Sequence, residues 1–110
     1  MSDVVLVLST VPDDVESADA LARTLVEEKL AACVNILPAM SSIYRWRGAI
    51  ERGVERQLIV KTTRANLPAL NARFVELHSY ELPEFIVIDI QSGSSDYLAW
   101  IAGEVLVAHP

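Results

Sequence analysis

The stretch that most constrains this chain is residues 33–63, CVNILPAMSSIYRWRGAIERGVERQLIVKTT. It reads as two extended runs, Cys33 to Trp46 and Ala49 to Thr63, meeting at Arg47-Gly48. β-Branched and aromatic residues recur in both runs, and such residues fit a pleated, half-buried surface. Gly48 supplies the positive φ that a tight hairpin loop requires. A run of about 14 residues rising ~3.3 Å each spans roughly 45 Å. A compact chain of this length has a diameter of only about 34 Å, so a straight hairpin overhangs its own domain. Pro38 and Gly53 are the positions where a bend or bulge is expected, because one cannot donate to a ladder and the other is permissive. Near the tip, Ile43, Tyr44 and Trp46 would be wet in a lone chain, and an uncovered edge of that kind invites a second chain.

The rest of the chain supplies a frame for this hairpin. Val4 to Leu8 is an unbroken apolar run and predicts a buried central strand, stopped by Pro12. Asp13 is the expected N-cap of a first helix, with Glu16 as its capping-box partner, and the helix runs to about Leu30. Ala18, Leu21, Ala22, Leu25 and Val26 form its apolar stripe. A second helix is predicted over Ala65 to His78, with Pro68 tolerated in its first turn. Phe85 to Ile90 reads as the fourth main strand. Gly93-Ser94-Ser95-Asp96 is a turn and cap opening a short last helix. The order β-α-β-β-α-β plus a terminal helix is the split βαβ, or ferredoxin-like, arrangement, an α+β sandwich in one domain over 1–110. Its helices cover one face of the sheet. Val4, Leu6, Leu8, Ile86 and Ile88 are apolar beyond what that face needs, so a partner subunit is the expected cover for the other.

Composition narrows the function classes. With 9 Lys+Arg against 15 Asp+Glu the net charge is −6, which argues against a nucleic-acid binder. No apolar run reaches the ~18 residues of a membrane span. The start, MSDVVLVLST, lacks the basic segment of a signal peptide and reads as a strand. Cys33 is the only cysteine, which fits a reducing, cytoplasmic setting. The first loop carries no CxxC pair for a soft metal, and neither GxxxxGK nor GxGxxG occurs for phosphate. No nucleophile elbow is present, and an enzyme is not expected. His78 ends the second helix, where a cation is favoured by the helix dipole, and a ligand role is the alternative. Cys33, at the base of the hairpin, reads more readily as a small buried hydrophobe than as a metal ligand.

Ala31-Ala32-Cys33-Val34-Asn35, Tyr44-Arg45-Trp46-Arg47-Gly48, Glu55, Lys61-Thr62-Thr63, His78-Ser79-Tyr80-Glu81-Leu82-Pro83-Glu84 and Tyr97-Leu98-Ala99-Trp100-Ile101 together resemble the CutA family of divalent-cation tolerance proteins. The resemblance spans Val4 to about Ile101 with the motifs in order. It implies a cytoplasmic homotrimer of ferredoxin-like subunits, similar in architecture to PII signalling proteins, with a role in tolerance of copper or another divalent cation. Ser9 and Leu77 stand where some members carry cysteine and histidine. The metal set that the resemblance implies therefore reduces to His78, with Cys33 a separate thiol. It further implies a cleft between subunits for a small ligand, lined by Tyr44, Trp46, Glu55, Lys61, His78, Tyr80, Glu81, Glu84 and Trp100. Aromatics with a few convergent charges suit such a site. A trimer in which the same aromatics only seal the interface is the alternative reading. Trp46, beside the turn, is expected to anchor a neighbouring subunit.

Overall fold

The computed structural model describes residues 3–106; residues 1, 2 and 107–110 of the expected 1–110 domain lie outside the described residues. The elements are β1 (Val4–Pro12), α1 (Val15–Glu27), β2 (Cys33–Trp46), β3 (Ala49–Thr63), a 3-10 turn (Arg64–Asn66), α2 (Leu67–Leu77), β4 (Ile86–Asp89) and α3 (Ser95–Glu104). The sheet order is β2-β3-β1-β4, and every pairing in it is antiparallel. This is the predicted βαββαβ sandwich with its long hairpin and short last helix.

Strand β1 is central, paired with β3 on one edge and β4 on the other, and it alternates between the helix side and a partly covered opposite face. Val5, Val7, Ser9 and Val11 point to the helix side and are buried. There Val7, Val11, Leu58 and Val60 meet Leu21, Leu25, Leu70 and Phe74. Phe74 also packs on Phe85, ring centroids 6.2 Å apart, which ties the start of β4 to α2. The opposite face carries Val4, Leu6 and Leu8. Helix α3 covers its Val4 end, where Ile101, Ala32 and Val105 form a second small core. The chain thus supplies a partial cover that its short terminal helix did not lead one to expect. Beyond α3 the face lies open: Leu6 and Leu8 are half-buried, while Ile86 and Ile88 are 51% and 41% exposed.

The hairpin turns as its sequence dictates. Arg47 and Gly48 both take positive φ, 50° and 85°, the backbone of a tight turn whose twist matches the flanking strands. Pairing runs from Trp46↔Ala49 to Cys33↔Lys61 with a register shift between Ile36 and Ala39. The bulge falls at Leu37-Pro38, where the missing N–H breaks the ladder. Gly53 does not bulge; it pairs regularly with Ser42, and the Tyr44 side chain lies over it. The molecule measures 43 × 27 × 26 Å, a long axis close to the extended reach of the hairpin.

Several boundaries differ from the sequence expectation. The cap of α1 is Asp14, not Asp13: its carboxylate accepts from the backbone N–H of Glu16 and Ser17. Asp13 turns away to pair with Arg56 at 2.9 Å. Helix α1 ends at Glu27, short of Leu30, because Lys29 adopts a left-handed φ of 60°. The Lys29 and Leu30 N–H groups then bond back to the carbonyls of Val26 and Leu25, the Schellman arrangement, and Leu30 is buried. Helix α2 begins at Leu67, after the 3-10 turn, and not at Ala65. Strand β4 is shorter than Phe85 to Ile90, since Phe85 is drawn into the core.

Candidate functional site

Strand alternation gathers one face of the hairpin. Met40, Ser42, Tyr44 and Trp46 of β2 stand beside Gly53, Glu55 and Gln57 of β3, with Thr10 of β1 at the inner end. Residues 79–84, which join α2 to β4, run alongside this face and form with it an open cleft of about 810 Å³. The cleft is therefore made within one chain.

The joining segment is tied down along its length. At its start His78 Nδ1 accepts the Tyr80 N–H at 2.9 Å, while Nε2 lies 2.6 Å from the Thr10 carbonyl oxygen. An acceptor Nδ1 fixes the neutral tautomer in which Nε2 donates to Thr10. The His78 ring also packs between Phe74 and Tyr80, at 5.0 and 4.5 Å. Midway, Tyr80 Oη donates to Glu55 Oε1 at 2.9 Å across the cleft. Nearer the tip, Arg47 grips Glu81 with both carboxylate oxygens in reach, at 2.9 and 3.2 Å. At its end the hydroxyl of the buried Ser9 donates to the Glu84 carbonyl at 2.6 Å, and the Gln57 amide reaches the Glu84 carboxylate at 3.2 Å. Burial holds the Tyr80 phenol well above its ordinary ionisation range, and the hydrogen bond to the Glu55 carboxylate adds to the effect.

Of the expected cleft residues, Tyr44, Trp46, Glu55, Tyr80, Glu81 and Glu84 line the cavity. Trp46 is half-buried there, with the Arg47 guanidinium 5.4 Å from its ring centroid. Lys61 and Trp100 stand elsewhere. Lys61 Nζ bonds the Tyr97 hydroxyl at 3.2 Å, and Tyr97 stacks on Trp100 at 5.5 Å, making a second aromatic group around α3. His78 lies behind the segment as its anchor and borders a smaller cavity with Val11, Leu21 and Leu77.

Neither proposed metal ligand has company. Cys33 pairs in register with Lys61, whereas His78 binds Thr10, whose β3 partner is Gln57. The two sites are thus four residues apart along the sheet, roughly 13 Å, before the strand-to-strand offset is added. Both His78 nitrogens are already engaged. Among the described residues no three His, Cys, Asp or Glu side chains converge as a metal site. The donor set of the described residues does not fit a firmly held copper or other divalent ion, which takes three or four convergent ligands.

Sequence reading missed Gln57, Met40 and the supporting role of Ser9. The signal was present: a hairpin pinned at Arg47-Gly48 places every second residue of both strands on one face, which selects Met40 and Gln57 along with Tyr44 and Glu55. Ser9 gave no such signal, because its contact is with residue 84 through space.

Comparison with known proteins agrees with this geometry. The family profile described as CutA1 divalent ion tolerance protein matches residues 5–104. The divalent-cation tolerance protein CutA of Thermus thermophilus is 46% identical over 101 residues, covering 92% of this chain and 95% of that protein. The crystal structure of CutA from Xylella fastidiosa superposes with a TM-score of 0.90 at 46% identity, covering 94% of this chain and 99% of that one. The structure of the periplasmic divalent cation tolerance protein CutA from Archaeoglobus fulgidus gives a TM-score of 0.88 at 35% identity, covering 94% of this chain and 99% of that one. The chain belongs to the CutA1 divalent ion tolerance family.

Proposed function

We propose that this member of a divalent-cation tolerance family is a cytoplasmic homotrimer that acts as a small-ligand-binding regulator and not as an enzyme. The observation that carries the ligand reading is the cleft: a solvent-open groove of about 810 Å³ walled by Tyr44, Trp46 and Tyr80, with carboxylates placed at fixed points. A cavity of this size and composition suits a small molecule. The names of relatives speak of tolerance of divalent cations, which favours a response to ions over catalysis. Because His78 and Cys33 do not converge, an effect on copper or another divalent ion is assigned to regulation and not to a resident metal.

The trimer reading is supported by surfaces a lone chain leaves wet. Ile86, Val87 and Ile88 of edge strand β4 are exposed, as are Ile43, Ile50 and Val54 on the back of the hairpin. The two surfaces are unlike, and contact between unlike surfaces of identical chains is head-to-tail, the kind that closes a ring. The single cysteine supports the cytoplasm, which subcellular fractionation tests directly.

The ligand reading is tested by calorimetry of the assembled protein against nucleotides, organic acids, organic amines and Cu²⁺. Saturable binding at one site per chain, weakened by Tyr44→Ala, is the expected result. The alternative, a purely structural trimer, is favoured by the many exposed apolar residues on the hairpin and predicts no saturable binding from any member of the panel.

A further inference from the structure

We infer that the cleft selects an organic cation, an ammonium or guanidinium carried on an apolar body. The inference rests on the ligand reading above and names the chemical class.

The charges around the cavity are one-sided. Its titratable lining groups are Glu55, Glu81 and Glu84 together with the phenols of Tyr44 and Tyr80; no Lys, Arg or His lines it. Of the cations nearby in sequence, Arg45 alternates onto the back of the hairpin opposite Ile50, and the others are engaged elsewhere. Arg47 is paired with Glu81 at the rim. Arg56 is turned to Asp13 and the Leu37 carbonyl. Arg52 bonds Ser41 on the back of the hairpin, and Lys61 lies with Tyr97. Glu55 and Glu84 are half-buried and receive hydrogen bonds only from neutral donors, the Tyr80 hydroxyl and the Gln57 amide. A neutral donor satisfies a lone pair without cancelling the charge. An anionic ligand would meet that charge in a cleft only partly exposed to water.

The walls point the same way, independently of the carboxylates. Tyr44, Trp46 and Tyr80 present aromatic faces, whose quadrupoles attract cations. Trp46 already holds one, since the Arg47 guanidinium sits 5.4 Å from its ring centroid. The Tyr80 phenol stays protonated and so remains a neutral wall. The same features disfavour a bare metal ion. The carboxylates do not converge with other donors as a metal site, and three aromatic rings offer no oxygen shell. The space exceeds what an ion with its waters fills, whereas an alkylammonium with an apolar body uses both rings and charge.

The test uses the intact assembled protein. Benzyltrimethylammonium is titrated by calorimetry, and by Trp46 fluorescence in a Trp100→Phe background. Benzyl alcohol, which keeps the ring and lacks the charge, and benzoate, which reverses it, are run in parallel. The expected result is one saturable site per chain for the cation, with both comparators weaker by about tenfold or more. The Glu55→Gln/Glu84→Gln variant keeps the shape of the cleft and loses its charge. It should bind the cation about tenfold more weakly and benzyl alcohol unchanged. Matching thermal melts establish that the variant is folded. Equal affinity for benzyl alcohol, tighter binding of benzoate, or displacement of the cation by an equal concentration of Cu²⁺ overturns the inference. Should the cation fail to bind while another ligand of the wider panel does, only the cationic class falls. Should nothing bind, the ligand reading falls with it.

Discussion

Tyr80 joins the support of the cleft to its chemistry. Its hydroxyl bridges to Glu55 across the cleft while its backbone N–H is held by His78. Burial first, and the Glu55 hydrogen bond second, raise its ionisation above the free phenol value of about 10. A raised value means that the folded state holds the proton more tightly than the unfolded one. The stabilisation is therefore complete below about pH 10 and is lost as pH climbs from there through the folded value. Alkaline titration of tyrosinate absorbance should show one of the three tyrosines lagging the others. Tyr80→Phe should remove the lagging step and flatten the fall of stability above pH ~10. A Tyr80→Phe protein with the same alkaline melting profile as the parent contradicts this account. Site residues were legible from sequence to the extent that strand alternation carries them. Tyr44, Trp46 and Glu55 share a face by period alone. Lys61 and Trp100 lie outside this cavity, because a motif in the chain says nothing of which end of a sheet it occupies. Lys61 sits at the α3 end of β3, several residues from the cleft.

Two short segments decide how the elements join. Lys29 terminates α1 in a left-handed conformation that a side chain pays for and a glycine does not. Lys29→Gly keeps both Schellman hydrogen bonds and should stabilise the fold by about 1 kcal/mol in urea denaturation. No change, or a loss, would mean that the lysine side chain offsets its backbone strain. At the hairpin tip the sign reverses. Gly48 has φ 85°, and a Cβ there would meet nothing within 4 Å, so Gly48→Ala tests conformation without a clash. It should cost about 1–2 kcal/mol. Hairpin, turn and bulge could be read in advance because glycine, proline and β-branching act locally. Helix ends could not. Asp13 and Asp14 are both good caps, and the choice is made by Arg56, forty-three residues away, which takes Asp13. Nor does Lys29 advertise a helix stop in the way glycine would; the burial of Leu30 after it imposes the turn.

At the scale of the molecule, the open question is what covers the apolar surface. Ile43 and Ile50 are 72% and 62% exposed on the back of the hairpin, away from the cleft. Trp46, the anchor expected from sequence, has its ring half-buried in the cleft wall of its own chain. We propose that the assembly role falls to the isoleucines and that the two faces of one hairpin divide the work, the back for a neighbour and the front for a ligand. The division gives opposite outcomes for two substitutions. Ile43→Asp with Ile50→Asp places charge where an apolar contact between subunits is expected, and neither residue supports the core of its own chain. The parent should sediment near three times its 12.1 kDa chain mass and melt at a temperature that rises with protein concentration. The double isoleucine variant should sediment as a smaller species over a dilution series and melt lower. Trp46→Ala should remain assembled at every dilution and lose affinity for the cleft ligand. A parent that runs as a monomer ends the trimer proposal. If Trp46→Ala dissociates while the isoleucine variant stays assembled, the neighbour docks on the front of the hairpin, and the cleft is filled by a second chain and not by a small molecule.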